Sequence, residues 1–91
     1  MKLRKVKLFS FPTITERNLT SIFGSTFFTM EYKKKDGSIR RGTGRIVKDE
    51  RSETVTTYWD TARKSYRRFN PSNLVFAENI RGRVEAIEHA L

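Results

Sequence analysis

The sequence contains no cysteine and a single histidine, His89, which excludes several kinds of functional site. Without thiols the chain forms neither a disulfide framework nor a thiolate metal site, and this composition is typical of a reducing compartment. One imidazole does not supply the several nitrogen ligands of a zinc site, and a catalytic triad would depend on that one residue. We therefore expect no metal site and no catalysis that uses histidine or cysteine.

Other signals of catalysis or cofactor binding are weak. Asp49, Glu50 and Glu53 carry the oxygen ligands that a hard cation prefers, but a solvated charged loop is the simpler interpretation. Gly42 and Gly44 lie within a predicted strand, where they indicate a bend rather than a phosphate-binding loop in front of a helix. We expect a protein that is not an enzyme and that needs no cofactor.

Long apolar runs are absent as well. No stretch approaches the roughly 18 apolar residues of a membrane-spanning helix. Lys5 and Lys7 interrupt the apolar segment that a signal peptide would need. These features predict a cytoplasmic protein without membrane contact.

Positive charge is abundant and unevenly distributed. The formal net charge is +9, with a pI near 10.4. Residues 1–45 carry eleven Lys and Arg against three Asp and Glu, whereas residues 46–91 carry eight against seven. A half with a charge of +8 beside a half with a charge of +1 indicates a directed binding face, and a polyanion is the expected partner.

The most specific structural signal is Asp36-Gly37, which separates two alternating runs. Aspartate followed by glycine favours a two-residue hairpin turn, because glycine tolerates the positive φ angle that such a turn requires. A two-residue turn would place Lys33 opposite Arg40. Since two cations in direct opposition repel each other, this pair marks the expected position of a bound anion.

The segment before the hairpin predicts one short strand and one short helix. KLRKVKLF at 2–9 mixes apolar and basic residues, which favours an edge strand, with a flexible basic arm as the alternative. Thr13 and Glu16 have the spacing of a capping box. The apolar spacing that follows predicts a helix over about 14–23, ended by Gly24.

The remainder of the chain predicts short strands separated by tight turns. β-Branched and aromatic residues alternate in these segments, and turn-forming residues separate them. The predicted strands lie at 27–34, 38–48, 54–60, 65–69 and 74–80, with turns at 61–64 and 70–73. The single domain would then comprise a basic edge strand or arm at 1–12, a helix at 13–24, a barrel at 26–80 and an uncertain tail at 81–91, in which Gly82 indicates a break.

Closing such strands into a barrel removes exposed sheet edges. We therefore expect a mainly β (α+β) fold, a small SH3-like or Sm-like barrel of four to five strands with one short N-terminal helix. An open α+β sheet is the alternative.

The chain resembles a family of small WYL-like domains with an Sm-type SH3 barrel, found largely in tailed phages. The pieces that carry the resemblance are FTMEYKKKDG at 28–37, Tyr58-Trp59-Asp60, Tyr66-Arg67-Arg68 and Leu74-Val75. The resemblance covers roughly residues 22–80, although the chain has no literal Trp-Tyr-Leu triplet. It implies a phage-type accessory or regulatory protein in the host cytoplasm, often with nucleic-acid contacts, and it supplies no reaction.

Two basic clusters are the candidate binding residues. The first belongs to the predicted hairpin and consists of Lys33, Lys34, Lys35, Arg40, Arg41 and Arg45. The second follows the third predicted strand and consists of Arg63, Lys64, Arg67 and Arg68. Ammonium and guanidinium groups both suit phosphate. The alternative for the first cluster is a solvated hairpin tip.

Aromatic residues beside the second cluster suit single-stranded nucleic acid, because bases stack on rings while arginine holds the backbone. Trp59 shares a strand face with Val55 and Thr57, which predicts that Trp59 belongs to the core. Tyr58 lies on the opposite face and is the expected stacking residue.

The leading hypothesis is a non-catalytic, nucleic-acid-binding accessory or regulatory protein. The alternative is a protein-interaction module that modulates or inhibits a host protein by docking on an acidic surface, since arginine and aromatic residues are enriched at such interfaces. The sequence distinguishes neither DNA from RNA nor a monomer from an oligomer that pairs through the edge at 2–9.

Overall fold

A computed structural model describes residues 6–47 and 54–87. This part of the chain forms β1 (Leu8–Phe11), α1 (Glu16–Phe23), β2 (Phe28–Lys33), β3 (Ile39–Val47), β4 (Thr56–Asp60), β5 (Ser65–Phe69), a 3₁₀ turn (Pro71–Asn73), β6 (Leu74–Asn79) and β7 (Gly82–Ala86). The mainly β composition with one short helix is as predicted. The expectations for residues 1–5, for the charged loop at 49–53 and for residues 88–91, including His89, lie outside the described residues.

The seven strands form one sheet in the order β1-β7-β6-β2-β3-β4-β5. β1 pairs with β7 in parallel, and the other neighbouring strands pair antiparallel. The predicted number of four to five strands is wrong, because the segments before the helix and after Ile80 each add a strand. β1 and β5 are the two edges of the sheet, so the sheet is open where a closed barrel was expected.

Side chains nevertheless connect strands that lie far apart in the sheet. The rings of Tyr32 in β2 and Phe69 in β5 stack with their centroids 5.1 Å apart. These strands are three positions apart in the sheet order, a separation of about 14 Å in a flat sheet. The sheet must therefore curl to bring the two rings together.

The core lies on the concave side of this curl. Its buried hydrophobic residues are Ile14, Leu19, Phe23, Phe28, Met30, Tyr32, Ile46, Tyr58, Phe69, Leu74, Ala77, Val84 and Ala86. The helix contributes Leu19 and Phe23, and the Phe23 ring stacks on Phe28 at a centroid distance of 4.6 Å. As predicted, α1 ends at Gly24, which has a φ of 58°.

The helix begins two residues later than predicted, with a different cap. The Thr15 hydroxyl accepts a hydrogen bond from the Asn18 N–H (3.2 Å), and the Asn18 side chain accepts one from the Thr15 N–H (2.9 Å). The predicted capping box of Thr13 and Glu16 is therefore wrong. The Glu16 carboxylate instead accepts a hydrogen bond from the Thr56 hydroxyl at 2.8 Å, which ties the helix to β4.

The hairpin between β2 and β3 has a three-residue loop, and the predicted two-residue turn is wrong. The Gly37 N–H donates to the Lys34 carbonyl (3.0 Å), and the Lys34 N–H donates to the Ser38 carbonyl (2.8 Å). Gly37 has a φ of 88°, while Asp36 is not among the residues with positive φ. This pattern matches a type I turn followed by glycine in the left-handed region, and Asp36 favours it by accepting hydrogen bonds from both the N–H and the hydroxyl of Ser38.

The longer loop shifts the hairpin register by one residue. Lys33 lies opposite Ile39, and Arg40 lies opposite Tyr32. Because successive side chains of a strand point to opposite faces, this register places Lys33 and Arg40 on opposite faces of the hairpin. The predicted opposition of Lys33 and Arg40 is therefore wrong.

Gly82 does not break the chain but begins β7, opposite Asn79 of β6. A Cβ atom at this position would lie 2.7 Å from the ring of Phe9 in β1. Glycine is thus needed for the close approach of the N-terminal strand, whose edge position agrees with the prediction, although β1 begins later in the chain than expected.

Candidate nucleic-acid interface

Tyr58 belongs to the core, and the prediction that it is an exposed stacking residue is wrong. Its side chain is fully buried, and its hydroxyl lies 3.0 Å from the Tyr32 hydroxyl. A Cβ atom at Gly42 would lie 3.1 Å from the Tyr58 hydroxyl, and one at Gly44 would lie 3.2 Å from the Tyr58 ring. The two glycines therefore make room for this ring. Burial, followed by the hydrogen bond to Tyr32, raises the pKa of Tyr58 well above its usual range.

Trp59 lies on the outer face of the sheet, so the prediction that it is a core residue is also wrong. Its ring is partly exposed and meets the Tyr66 ring edge-on, with the centroids 4.8 Å apart. Tyr66 is 66% exposed. Alternation along β4 assigns Tyr58 and Trp59 to opposite faces but does not say which face is buried. Because Tyr58 pairs with buried Ile46 of β3, the face of β4 that carries Tyr58 is the buried one.

Asp60 is a fully buried carboxylate at the end of β4. It accepts hydrogen bonds from the backbone N–H and the guanidinium of Arg63, both at 3.0 Å, and Nε of Arg67 lies 3.7 Å away. Burial acts to raise the pKa of Asp60, but the hydrogen bonds from Arg63 outweigh it and hold that pKa below its ordinary value of 3.8. Two of the predicted phosphate-binding residues, Arg63 and Arg67, thus neutralise a buried charge within the chain.

The hairpin tip and the connection between β5 and β6 enclose a cleft of about 710 Å³, here called the cationic cleft. Its basic lining residues are Lys33, Lys34, Lys35, Arg40 and Arg68. Its apolar and amide-bearing lining residues are Tyr32, Val55, Phe69, Asn70 and Asn73. The structure therefore brings four residues of the first predicted cluster together with one residue of the second.

Four of the five cations that line the cationic cleft have no acidic partner among the described residues. In the described part of the chain, no carboxylate forms an ion pair with Lys33, Lys34, Lys35 or Arg40. The acidic residue of the lining, Asp36, already accepts two hydrogen bonds from Ser38. Those hydrogen bonds, together with nearby Lys34, keep the pKa of Asp36 below its usual value. Clustered cations repel one another, and a bound anion such as a phosphate relieves that repulsion.

The remaining predicted residues lie elsewhere. Arg41 and Arg45 are on the outer face, where Arg41 is 3.2 Å from the Glu31 carboxylate and Arg45 is 6.0 Å from the centre of the Phe27 ring. Lys64 lies in the turn between β4 and β5 and has a φ of 51°. The predicted residues are therefore divided among the cationic cleft, the outer face, the surroundings of Asp60, a turn and the core.

Several site residues were missed from the sequence. Asn70 and Asn73 line the cationic cleft, and Phe27 and Tyr66 lie exposed on the outer face. For Tyr66 a signal was available, because residues an odd number apart in a strand face opposite sides. Once Phe69 is assigned to the core, Tyr66 must point outward.

A second cleft, of about 480 Å³, contains an arginine whose charge is compensated within the chain. Its Arg83 guanidinium lies 4.1 Å from the centre of the Phe76 ring and is hydrogen-bonded to both Glu78 and Glu85. Burial opposes the charged form, but these carboxylates raise the pKa of Arg83. Because the positive charge is compensated within the chain, this cleft is a weaker candidate for anion binding.

No cluster of three or more His, Cys, Asp or Glu side chains in residues 6–47 and 54–87 is arranged to hold a metal ion. No helix among them has the length and hydrophobicity to cross a membrane.

Comparison with known proteins identifies one family. A family model described as WYL_2, Sm-like SH3 beta-barrel fold, matches residues 17–75, from α1 to the start of β6. The match confirms the resemblance seen in the sequence, and it includes the hairpin and β5, which border the cationic cleft. No curated protein and no solved structure matches the chain.

Proposed function

The chain belongs to the WYL_2 family, which has an Sm-like SH3 β-barrel fold, and we propose that it binds nucleic acid through the cationic cleft. The fold is consistent with a small module without catalytic activity. We also propose a phage-type accessory or regulatory role in the cytoplasm, which the family resemblance supports.

One observation carries the proposal, namely the convergence of basic side chains from two separate segments on one cleft. The hairpin supplies Lys33, Lys34, Lys35 and Arg40, and Arg68 comes from β5. Contacts between such residues and phosphates supply most of the affinity of sequence-independent nucleic-acid binding. The net charge of +9 favours the approach of a polyanion from solution.

Fluorescence anisotropy with labelled single- and double-stranded DNA and RNA of equal length tests the proposal. The logarithm of the binding constant should fall linearly with the logarithm of salt concentration, with a slope of about −0.7 to −0.9 per neutralised phosphate. Lys33→Gln/Lys35→Gln and Arg40→Gln should weaken binding and make this slope shallower. Arg17→Gln is the matched control, because Arg17 is an exposed cation on α1 that does not line the cleft. Absence of affinity at low salt, or equal effects of cleft and control variants, would refute the proposal.

A protein-interaction module is the second candidate function. Ile39 is 50% exposed beside Arg40 and Arg41, and apolar side chains next to arginine are common in protein interfaces. Because Arg40 and Arg41 point to opposite faces of β3, Arg40→Glu and Arg41→Glu should be tested separately. A stoichiometric partner that survives nuclease treatment and is lost in one of these variants would favour this function over nucleic-acid binding.

We also propose that copies of the chain can associate through a sheet edge. Among the strands that the structure describes, β1 lies at the edge of the sheet and pairs with β7 alone, and unpaired edges can accept a further strand. Light scattering measures the mass directly. A monomeric mass across the working concentration range would rule out such pairing.

A further inference from the structure

The outer face of β3, β4 and β5 carries a row of aromatic and arginine side chains. Arg45 pairs with Trp59 across β3 and β4, and Trp59 pairs with Tyr66 across β4 and β5. Phe27 extends the row on the other side, with its ring 6.0 Å from the Arg45 guanidinium. Phe27 and Tyr66 are 52% and 66% exposed. We call these four residues the outer aromatic row.

The charge around the row is positive. The outer-face residues of these three strands are Ile39, Arg41, Thr43, Arg45, Val47, Thr57, Trp59, Tyr66 and Arg68, which include three arginines and no acidic residue. Although Arg41 pairs with Glu31 of β2, Arg45 lies beside the rings themselves. Aromatic rings interleaved with guanidinium groups suit a chain of bases joined by phosphates.

The row is long enough for more than one base and continues toward the cationic cleft. From Phe27, the residue before β2, to Tyr66 in β5 the row crosses three strand spacings of about 4.8 Å each. Arg68 is two residues from Tyr66 on the same face of β5 and also lines the cationic cleft. Arg68 therefore links the cleft to the rings along β5.

We propose that the outer aromatic row stacks the bases of a single-stranded nucleic acid whose phosphates are held in the cationic cleft. This inference rests on the proposed function and narrows its ligand to single strands. The rings are open to bases that are unpaired and splayed outward, whereas a duplex keeps its bases within its own stack.

The chain offers a built-in probe, because Trp59 is its only tryptophan. The ligands are an oligothymidylate, an abasic deoxyribose-phosphate oligomer of the same length and a duplex of the same length. The oligothymidylate should quench Trp59 fluorescence and bind at least about five-fold more tightly than the abasic oligomer, the lower limit for one stacked base. The abasic oligomer should bind without quenching.

Variants at exposed positions separate stacking from folding. Tyr66→Ala should remove most of the preference for the oligothymidylate over the abasic oligomer, while Tyr66→Phe should retain it because the ring remains. Ile80→Ala is the matched control, since Ile80 is an 81% exposed apolar residue in the turn between β6 and β7. A thermal melt of each variant confirms that it is folded.

The outcomes distinguish the two proposals. Equal affinity for the oligothymidylate and the abasic oligomer, with unchanged Trp59 emission, would overturn the stacking inference while leaving phosphate binding in the cleft intact. Failure of all three ligands to bind at low salt would overturn both proposals. Loss of a nuclease-resistant protein partner in Tyr66→Ala, with oligonucleotide affinity unchanged, would assign the row to a protein interface instead.

Discussion

The hydroxyl groups of Tyr32 and Tyr58 lie 3.0 Å apart in the core, although the two residues are 26 positions apart in the chain. Their rings meet edge-on, and both contact the ring of Phe69, at centroid distances of 5.1 Å for Tyr32 and 5.6 Å for Tyr58. Tyr32 and Phe69 also line the cationic cleft. This aromatic trio therefore connects β2, β4 and β5 directly beneath the candidate site.

Tyr58→Phe should destabilise the protein by about 1–3 kcal/mol, because it leaves the buried Tyr32 hydroxyl without its partner. The double variant Tyr32→Phe/Tyr58→Phe should cost less than the sum of the two single variants, since neither hydroxyl is then left unpaired. Urea denaturation measures all three free energies of unfolding. Additive costs would show that the two hydroxyls are not coupled, and a large loss of oligonucleotide affinity in folded Tyr58→Phe would contradict the core assignment.

Gly44→Ala should destabilise the fold by at least the 1–3 kcal/mol typical of overpacking, and by more than Gly42→Ala. A Cβ atom at Gly44 would lie 1.8 Å from the Trp59 carbonyl oxygen, which is backbone and cannot move aside like a side chain. At Gly42 the nearest atom is the Tyr58 hydroxyl, at 3.1 Å. Thermal unfolding ranks the two variants, with exposed Thr43→Ala as a control for the strand position between them. A mild effect at Gly44 would mean that β4 does not approach β3 this closely.

The free energy of unfolding of the protein should depend on pH through the Asp60 carboxylate. Its pKa is lowered in the folded state, so its contribution to the free energy of unfolding is fully present above the ordinary carboxyl value of 3.8 and is lost as pH falls through the lowered folded value. Asp60→Asn should cost about 1.5–3 kcal/mol at neutral pH and flatten this acid dependence.

Urea denaturation from neutral to acidic pH compares the wild type with Asp60→Asn. Asp36→Asn is the control, because the Asp36 pKa is also lowered but its fully exposed carboxylate is screened by solvent. That variant should retain most of the wild-type acid dependence. An unchanged pH profile in Asp60→Asn would show that the interaction with Arg63 contributes little.

Thr15→Ala should cost about 0.5–2 kcal/mol, the usual range for the loss of an N-cap hydroxyl. Thr13→Ala, a threonine-to-alanine change two residues earlier, should be nearly neutral because Thr13 does not cap the helix. Circular dichroism during thermal unfolding compares the two. The reverse ranking would restore the capping box of Thr13 and Glu16.

Local signals in the sequence located most elements but not their partners. Gly24 ended the helix as expected, and β5 occupies the predicted residues Ser65–Phe69. The hairpin was placed correctly around Gly37, yet its loop length was not, because Asp-Gly is compatible with both a two-residue turn and a type I turn followed by glycine. The hydrogen bonds that Ser38 donates to the Asp36 carboxylate favour the second, and the register of every pair in the hairpin follows from that loop length.

The charge asymmetry, the mainly β character, the short helix and the family can all be read from the order of residues. These depend on composition and on neighbours along the chain. Which side of β4 is buried depends on the fold, since alternation is symmetric between two faces until a partner strand breaks the symmetry. The pairing of Tyr58 with Ile46, and the space above Gly42 and Gly44, did so. The fold likewise determined which cations meet in the cationic cleft and which are held by Asp60, because those distances depend on how the sheet curls.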